Sequence, residues 1–133
     1  MTFNELYAYQ HAKKNLMLIK QALADHRSRI YAVGGQRFDA VPGGGTPSTD
    51  KQADALAITV RLEKAVKDAE VKYRRASRLL AKAQTVCDGR LTVLLLLRFE
   101  KGLTYREIAR EMHYSKTEVG RMMAELKSRI VNL

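Results

Sequence analysis

The polar side chains best suited to bind a ligand lie close together in the last third of the chain. Ser115, Lys116, Thr117 and Arg121 fall in the short stretch "YSKTEVGRM". Lys and Arg donate charged hydrogen bonds, a Thr hydroxyl both donates and accepts, and Ser is a preferred acceptor at a helix start. These groups suit the binding of anions and hydrogen-bond acceptors rather than bond-making chemistry.

The sequence predicts neither a catalytic site nor a metal site. Its Ser, His and acidic residues are scattered over expected helical surfaces, so no nucleophile, general base and orienting acid come together. His11, His26, His113 and Cys87 do not have the spacing of metal ligands. The glycines at 43–45 lack the Gly-Lys-Ser/Thr ending of a phosphate-binding loop. We therefore expect a protein that is not an enzyme and that holds no metal or cofactor.

The polar cluster stands at the start of a helix that closely follows another helix. Thr104 with Glu107, and Ser115 with Glu118, have the spacing of capping boxes, which mark helix N-termini. The helical period of the apolar residues predicts an inner face for both helices. The inward positions are Ile108, Ala109, Met112, Tyr114, Val119, Met122, Met123, Leu126 and Ile130.

Residues 88–133 are thus predicted to form three short helices, the first near 91–101 and ending at Gly102. Two helices joined by a short turn are typical of DNA-binding helix-turn-helix units, whose second helix enters the major groove. Lys and Arg can donate to guanine, and a helix N-terminus favours a phosphate. The predicted DNA-binding residues are Thr104, Tyr105, Ser115, Lys116, Thr117, Gly120, Arg121 and Lys127.

Two residues of this unit need separate comment. Gly120 costs the helix about 1 kcal/mol relative to Ala. Close approach of the backbone to DNA and simple tolerance on an exposed face explain it equally well. His113 occupies a turn position at which such units usually carry Gly, and His is enriched among non-Gly residues with positive φ.

The N-terminal part of the chain predicts a long antiparallel helical hairpin. Helices near 3–32 and 50–87 would flank a flexible Gly/Pro-rich loop at 34–49, with capping boxes formed by Thr2 and Thr49. Narrow apolar rows at three-four spacing are typical of coiled-coil packing. The rows comprise Tyr9, Ala12, Leu16, Ile19, Leu23, His26, Ile30 and Val33, and then Leu62, Val66, Ala69, Tyr73, Ala76, Leu80, Ala83 and Cys87. The prediction is an all-α protein with a hairpin arm at 1–87 and a helix-turn-helix module at 88–133.

The net charge of the chain indicates which kind of partner it binds. The 133 residues include 24 Lys and Arg against 14 Asp and Glu, a formal charge of +10, which favours polyanions. Basic residues also cluster along the second long helix; they either track phosphates or form a solvated face balanced by nearby acids, and the second interpretation is slightly favoured. The clustered residues are Lys64, Lys67, Arg74, Arg75, Arg78 and Lys82.

A single Cys and the lack of a long apolar run predict a cytoplasmic protein without a membrane partner.

The C-terminal sequence "RLTVLLLLRFEKGLTYREIAREMHYSKTEVGRMMAELKSRI" resembles region 4 of bacterial sigma factors. The wider layout is similar to that of phage transcriptional regulators of the RinA and ArpU type. The resemblance implies a regulator in the bacterial host cytoplasm that binds double-stranded DNA near late or packaging gene promoters and contacts RNA polymerase. One side of each apolar row is left poorly covered, so either the C-terminal module or a second copy of the chain is expected to cover it. A homo-oligomer is expected, with a dimer favoured.

Two other classes of function remain open at this stage. A phage DNA-packaging component, similar to a small terminase subunit, would also combine a helix-turn-helix with a helical oligomerisation region. A helical adaptor would use its basic faces for acidic proteins and would not bind DNA. The sequence does not specify the recognised DNA, the sign of regulation or the oligomeric state.

Overall fold

The fold is all-α in a computed structural model of the chain. The structure describes residues 1–38 and 46–133, with side chains for 1–30 and 51–133. The helices are α1 (Phe3–Phe38), α2 (Thr46–Gln84), α3 (Gly89–Leu95), a π-helical turn (Leu96–Glu100), α4 (Tyr105–Met112) and α5 (Lys116–Ile130). They divide into two compact units. The first unit comprises residues 1–14 and 72–133, and the second comprises residues 15–71.

The second unit is an antiparallel pair formed by parts of α1 and α2. Lys20 Nζ lies 3.9 Å from Glu70 Oε1, whereas Arg27, further along α1, pairs at 2.9 Å with Glu63, which precedes Glu70 on α2. This reversed order of contacts confirms the predicted hairpin. Buried residues of the predicted apolar rows lie between the two helices, namely Leu16, Leu23 and Ala69.

One polar contact across this hairpin involves His26, which is half-buried. Its Nε2 lies 3.0 Å from both the Ala55 carbonyl oxygen and Thr59 Oγ1. The Thr59 hydroxyl itself donates to the same carbonyl at 2.9 Å. The position in the apolar row is therefore polar but satisfied. By contrast Ile30, expected in the same row, is exposed.

The two long helices extend further than the sequence predicted. Residues 34–38 continue α1 and residues 46–49 already belong to α2, so the expected loop at 34–49 is too long at both ends. Glycine is tolerated in a helix at a cost of about 1 kcal/mol, and proline fits in the first turn, where its missing N–H is not needed. Thr49 consequently lies inside α2 rather than at its start. Residues 39–45 of the expected loop lie outside the described residues.

The core of the first unit joins the module to the start of α1 and the end of α2. Leu6 and Tyr9 of α1 pack with Ala76, Leu80 and Ala83 of α2 and with the helices that follow. The fully buried side chains of this core are Phe99, Leu6, Leu94, Leu95, Ile108, Leu126, Ile130 and Val119. The compact unit is thus larger than the segment 88–133 predicted from the sequence.

The helix expected near 91–101 ends at Gly102 as predicted, but its last part is a π-helical turn. Within this turn Lys101 donates its backbone N–H to the carbonyl of Leu96, five residues earlier, at 3.0 Å. Gly102 then has a φ of 75°, which favours glycine. The Gln10 side chain of α1 donates to the Arg98 carbonyl at 2.8 Å and so satisfies an acceptor at the helix end.

The described residues contain no candidate membrane-spanning helix and no candidate metal site. In this part of the chain no helix combines the length and apolar character needed to cross a membrane. Within the same residues, no group of three or more His, Cys, Asp or Glu side chains could hold a metal ion.

The Gly102 turn yields a stability prediction. A Cβ at this position would lie 2.7 Å from Gln10 Nε2, and the backbone would remain left-handed. Because that conformation costs an L-residue about 1–2 kcal/mol, we expect Gly102→Ala to lower the free energy of unfolding by at least that amount in urea titration. Gly89→Ala is the control, since its Cβ would meet nothing within 4 Å. Equal stability of the two variants would contradict the role assigned to Gly102.

Candidate nucleic-acid interface

The turn between α4 and α5 is built from three residues. His113 has φ 58° and ψ 38°, so the only described non-glycine residue with positive φ is the one that replaces the usual glycine. Its N–H bonds to the Arg110 carbonyl at 3.4 Å, and the N–H of Tyr114 bonds to the Ala109 carbonyl at 3.0 Å. This paired closure ends α4 and sets the direction of α5.

Side-chain caps begin both helices of the pair. Thr104 Oγ1 accepts from the Glu107 N–H at 3.3 Å and donates to the Glu107 carboxylate at 3.0 Å. Ser115 Oγ accepts from the Glu118 N–H at 3.1 Å. Each cap satisfies a backbone donor that would otherwise have no intrahelical partner. Both hydroxyls therefore have a structural role, in addition to any contact with a ligand.

One face of α5 is buried and the opposite face is exposed. The inner residues, all predicted from the sequence, are Val119, Met122, Met123, Leu126 and Ile130. Lys116, Thr117 and Arg121 are exposed, and the Arg121 side chain has 76% of its surface accessible. Arg121 Nη1 lies 3.8 Å from Glu118 Oε2, a loose surface pair of the kind that contributes little. The Arg121 guanidinium is therefore available to another acceptor.

A cationic depression adjoins the start of α5. It has a volume of about 540 Å³ and is open to solvent, with a lining drawn from the π-helical turn, the start of α4 and the start of α5. The lining residues are Arg98, Thr104, Tyr105, Arg106 and Lys116. Three cationic side chains and no carboxylate line this depression, so its charge favours an anionic group.

Arg98 is held in place by the start of α1. Its Nε and Nη2 donate to the Tyr7 hydroxyl at 3.3 and 3.1 Å, and Nη1 donates to the Leu103 carbonyl at 2.8 Å. The guanidinium carbon also lies 5.3 Å from the Tyr7 ring centre and 4.9 Å from that of Tyr105. Cation–π contacts of this length are favourable. Arg98 is thus preorganised, so less side-chain entropy is lost when it binds a ligand.

The contacts of Arg98 leave part of its binding capacity unused. A guanidinium has five N–H donors, and the described residues take three of them. One donor on each terminal nitrogen remains, and two such donors match the bidentate geometry of a phosphate.

The structure brings together some of the predicted DNA-binding residues and separates others. Thr104, Tyr105 and Lys116 line the depression. Lys127 is exposed but lies eleven positions beyond Lys116 in α5, about 16 Å along the helix. A Cβ added at Gly120 would meet nothing within 4 Å, so the fold itself does not require glycine there.

The sequence alone did not indicate Arg98 and Arg106 as site residues, nor the hydrogen bonds from Arg98 to Tyr7. Arg98 had a visible signal, because it is the one charged residue within "LTVLLLLRF", where burial should exclude it unless it has partners. Tyr7 had none, since it reaches Arg98 across 91 positions. Arg106 precedes the buried Ile108 by two positions and looks like an ordinary surface residue.

Charge in the first unit supports an anionic partner. This unit has 16 Lys and Arg against 7 Asp and Glu, which gives +9. Arg90, near the turn, is charged like any arginine, and a hydrogen bond to Tyr114 raises its pKa further.

The single cysteine is half-buried just beyond the end of the second long helix. Burial raises the pKa of the Cys87 thiol, and its Sγ donates to the Ala83 carbonyl at 3.2 Å. Burial thus disfavours the thiolate, which is the nucleophilic form.

The hydrogen bonds that orient Arg98 can be tested in the protein without DNA. Tyr7→Phe removes the hydroxyl that accepts two Arg98 bonds but keeps the ring. We expect the Arg98 Nε–H signal in NMR spectra to lose protection from solvent exchange, and the free energy of unfolding to fall by roughly 1–2 kcal/mol. Tyr105→Phe is the matched control, because the Tyr105 ring is what contacts Arg98. An unchanged Arg98 signal in Tyr7→Phe would contradict the role of the Tyr7 hydroxyl in orienting Arg98.

Comparison of the chain with models of protein families, with curated proteins and with solved structures gave no match. Its site is therefore interpreted from its own geometry. The geometry consists of a capped, exposed helix start on α5 beside a cationic depression with a preorganised arginine.

Proposed function

We propose that the protein binds double-stranded DNA in a sequence-specific manner, with α5 in the major groove. The observation that carries the proposal is the exposed start of α5, where Thr117 and Arg121 project opposite the buried inner face and Lys116 is exposed at its edge. A helix-turn-helix unit reads base edges with this part of its second helix.

The exposed residues divide into two roles. Arg121 donates to guanine O6 and N7, and Thr117 offers a hydroxyl or a methyl group to a base edge. Lys116, at the edge of the cationic depression, contacts phosphate together with Arg98 and Arg106. Gly120 lets the DNA approach the helix backbone closely.

The phosphate contacts position the protein, and the base contacts select the sequence. The depression supplies three cations on one side of the reading helix, so a phosphate bound there would fix the register of α5 on the duplex. Lys127, on the same edge of α5 as Lys116, would contact the backbone further along.

We also propose the biological setting that the sigma-factor and phage-regulator resemblance implies. In this setting the protein acts in the bacterial cytoplasm, occupies a site near a phage late or packaging gene promoter, and contacts RNA polymerase.

A dimer is part of the proposal, because helix-turn-helix dimers read two half-sites about 34 Å apart. In the second unit Met17, Leu18 and Leu56 are 64%, 70% and 65% exposed. Apolar side chains exposed to this degree on long helices favour association with a second copy.

Sedimentation of matched variants tests the dimer. Leu18→Gln combined with Leu56→Gln keeps helix propensity nearly constant but removes apolar surface from the second unit, and we expect it to shift the wild-type dimer to monomer. Val93→Gln changes an exposed residue of the first unit and should remain dimeric. Monomeric wild-type protein at all concentrations would contradict this part of the proposal.

Substitutions at Arg121 test the reading face. Against a duplex selected from a genomic pool, Arg121→Ala should lose about 1–3 kcal/mol of discrimination at one base pair while binding to unrelated DNA changes little. Arg121→Lys keeps the charge but not the bidentate geometry, so it should also lose discrimination.

Lys101→Ala is the control for these variants, since it removes an exposed charge of the same unit outside α5. If Arg121→Ala kept the wild-type ratio of selected to unrelated binding, α5 would not be the reading helix. Absence of DNA binding by the wild type would instead favour a protein-binding adaptor.

A further inference from the structure

The end of α2 carries a second cationic surface in the first unit. We call it the basic stripe and define it as Arg74, Arg75, Arg78 and Lys82. All four side chains are exposed, and no acidic residue occurs between Val71 and Cys87. The stripe does not belong to the depression beside α5, whose lining contains none of these residues.

The stripe lies opposite the buried face of α2. Tyr73, Ala76, Leu80 and Ala83 of the same turns pack into the core of the first unit. At 100° per residue, the four stripe residues fall within an arc of about 100° on the other side of the helix. The core therefore fixes the helix on one face and leaves the stripe directed to solvent.

The acidic residues nearest to the stripe are Glu63, Asp68 and Glu70. Two of them contact α1. Glu63 contacts Arg27 at 2.9 Å and Glu70 lies 3.9 Å from Lys20. Among the described residues, no carboxylate lies within 4 Å of Arg75, Arg78 or Lys82. These three charges are therefore available to a partner.

The spacing of the stripe fits a nucleic-acid backbone. Residues four positions apart on a helix, such as Arg74, Arg78 and Lys82, are separated by about 6 Å along its axis. Two intervals between phosphates of one DNA strand cover about 7 Å of duplex axis. Cations at regular intervals can thus follow a row of phosphates, and the duplex that α5 is proposed to read presents such a row along its whole length.

We infer that the basic stripe is a second, sequence-independent contact surface for the phosphate backbone of double-stranded DNA. This inference rests on the proposed function, because the partner is the same duplex that α5 reads. The stripe adds affinity and salt dependence without adding sequence selectivity. It departs from the interpretation of the basic cluster as a solvated face, because Arg75, Arg78 and Lys82 have no carboxylate within 4 Å among the described residues.

The test compares two triple variants with equal change in charge. In the stripe variant, Arg75→Gln, Arg78→Gln and Lys82→Gln are combined, and Arg74 is kept because it makes an interaction within the protein. In the control variant, Lys14→Gln, Arg29→Gln and Lys51→Gln are combined; these exposed residues lie outside the basic cluster of α2. Circular dichroism checks that both variants fold.

Affinity for a duplex of roughly 30 base pairs, about three helical turns, is measured between about 50 and 200 mM salt. Each lost phosphate contact lowers the slope of log K against log salt by about 0.9. We expect the slope of the stripe variant to be smaller in magnitude than the wild-type slope by about 2 to 3. The ratio of its affinities for selected and unrelated DNA should not change. The control variant should keep the wild-type slope.

Two outcomes would overturn the inference. A wild-type slope in the stripe variant would mean that DNA does not contact this surface, and an equal loss in both variants would mean that only net charge matters. Failure of the proposed function is a separate result, because it appears as an unchanged selectivity ratio in Arg121→Ala.

Discussion

Burial of the inner face of α5 is the constraint on which the site depends. Val119, Leu126 and Ile130 are fully buried, and Met122 and Met123 nearly so. Each such side chain contributes about 1.5–3 kcal/mol when it leaves water, which far exceeds any single surface contact of this helix. Rotation of α5 about its axis would expose these residues. The polar start of the helix therefore has one orientation, with Thr117 and Arg121 directed outward.

The start of α1 extends this constraint to the cationic depression. Leu6 and Phe99 are fully buried in the same core, and the Phe3 and Tyr7 rings lie 5.4 and 5.0 Å from the Phe99 ring. Tyr7 is thereby placed to accept from Arg98, and Gln10 to cap the Arg98 carbonyl. A residue of the π-helical turn is thus oriented by a helix that is distant in sequence. Loss of α1 packing would therefore remove the Tyr7 and Gln10 contacts of Arg98.

Much of the fold could be predicted from the sequence because its signals are local. The caps at Thr104 and Ser115, the glycine stop at Gly102 and the inner face of α5 each depend on residues a few positions apart. The left-handed conformation of His113 is also a local feature, because His is enriched among non-Gly residues with positive φ. The extent of α1 and α2 was not predictable in this way, since glycine and proline weaken a helix without always ending it.

The remainder of the site depends on contacts between residues distant in the sequence. Arg98 could be suspected from its isolation among leucines, but its partner Tyr7 could not be identified without the fold. The ion pair between Glu63 and Arg27 of α1 could not be identified for the same reason, and it gives a partner to one of the acids expected to balance the basic residues of α2.

The most direct measurement of the central claim is NMR mapping of backbone amides during titration with a duplex selected from a genomic pool. If α5 enters the major groove, the largest shifts occur in residues 115–121 of the turn and α5, with a second group at 104–106. Shifts confined to other surfaces, with the start of α5 unaffected, would contradict the assignment of this helix to the major groove.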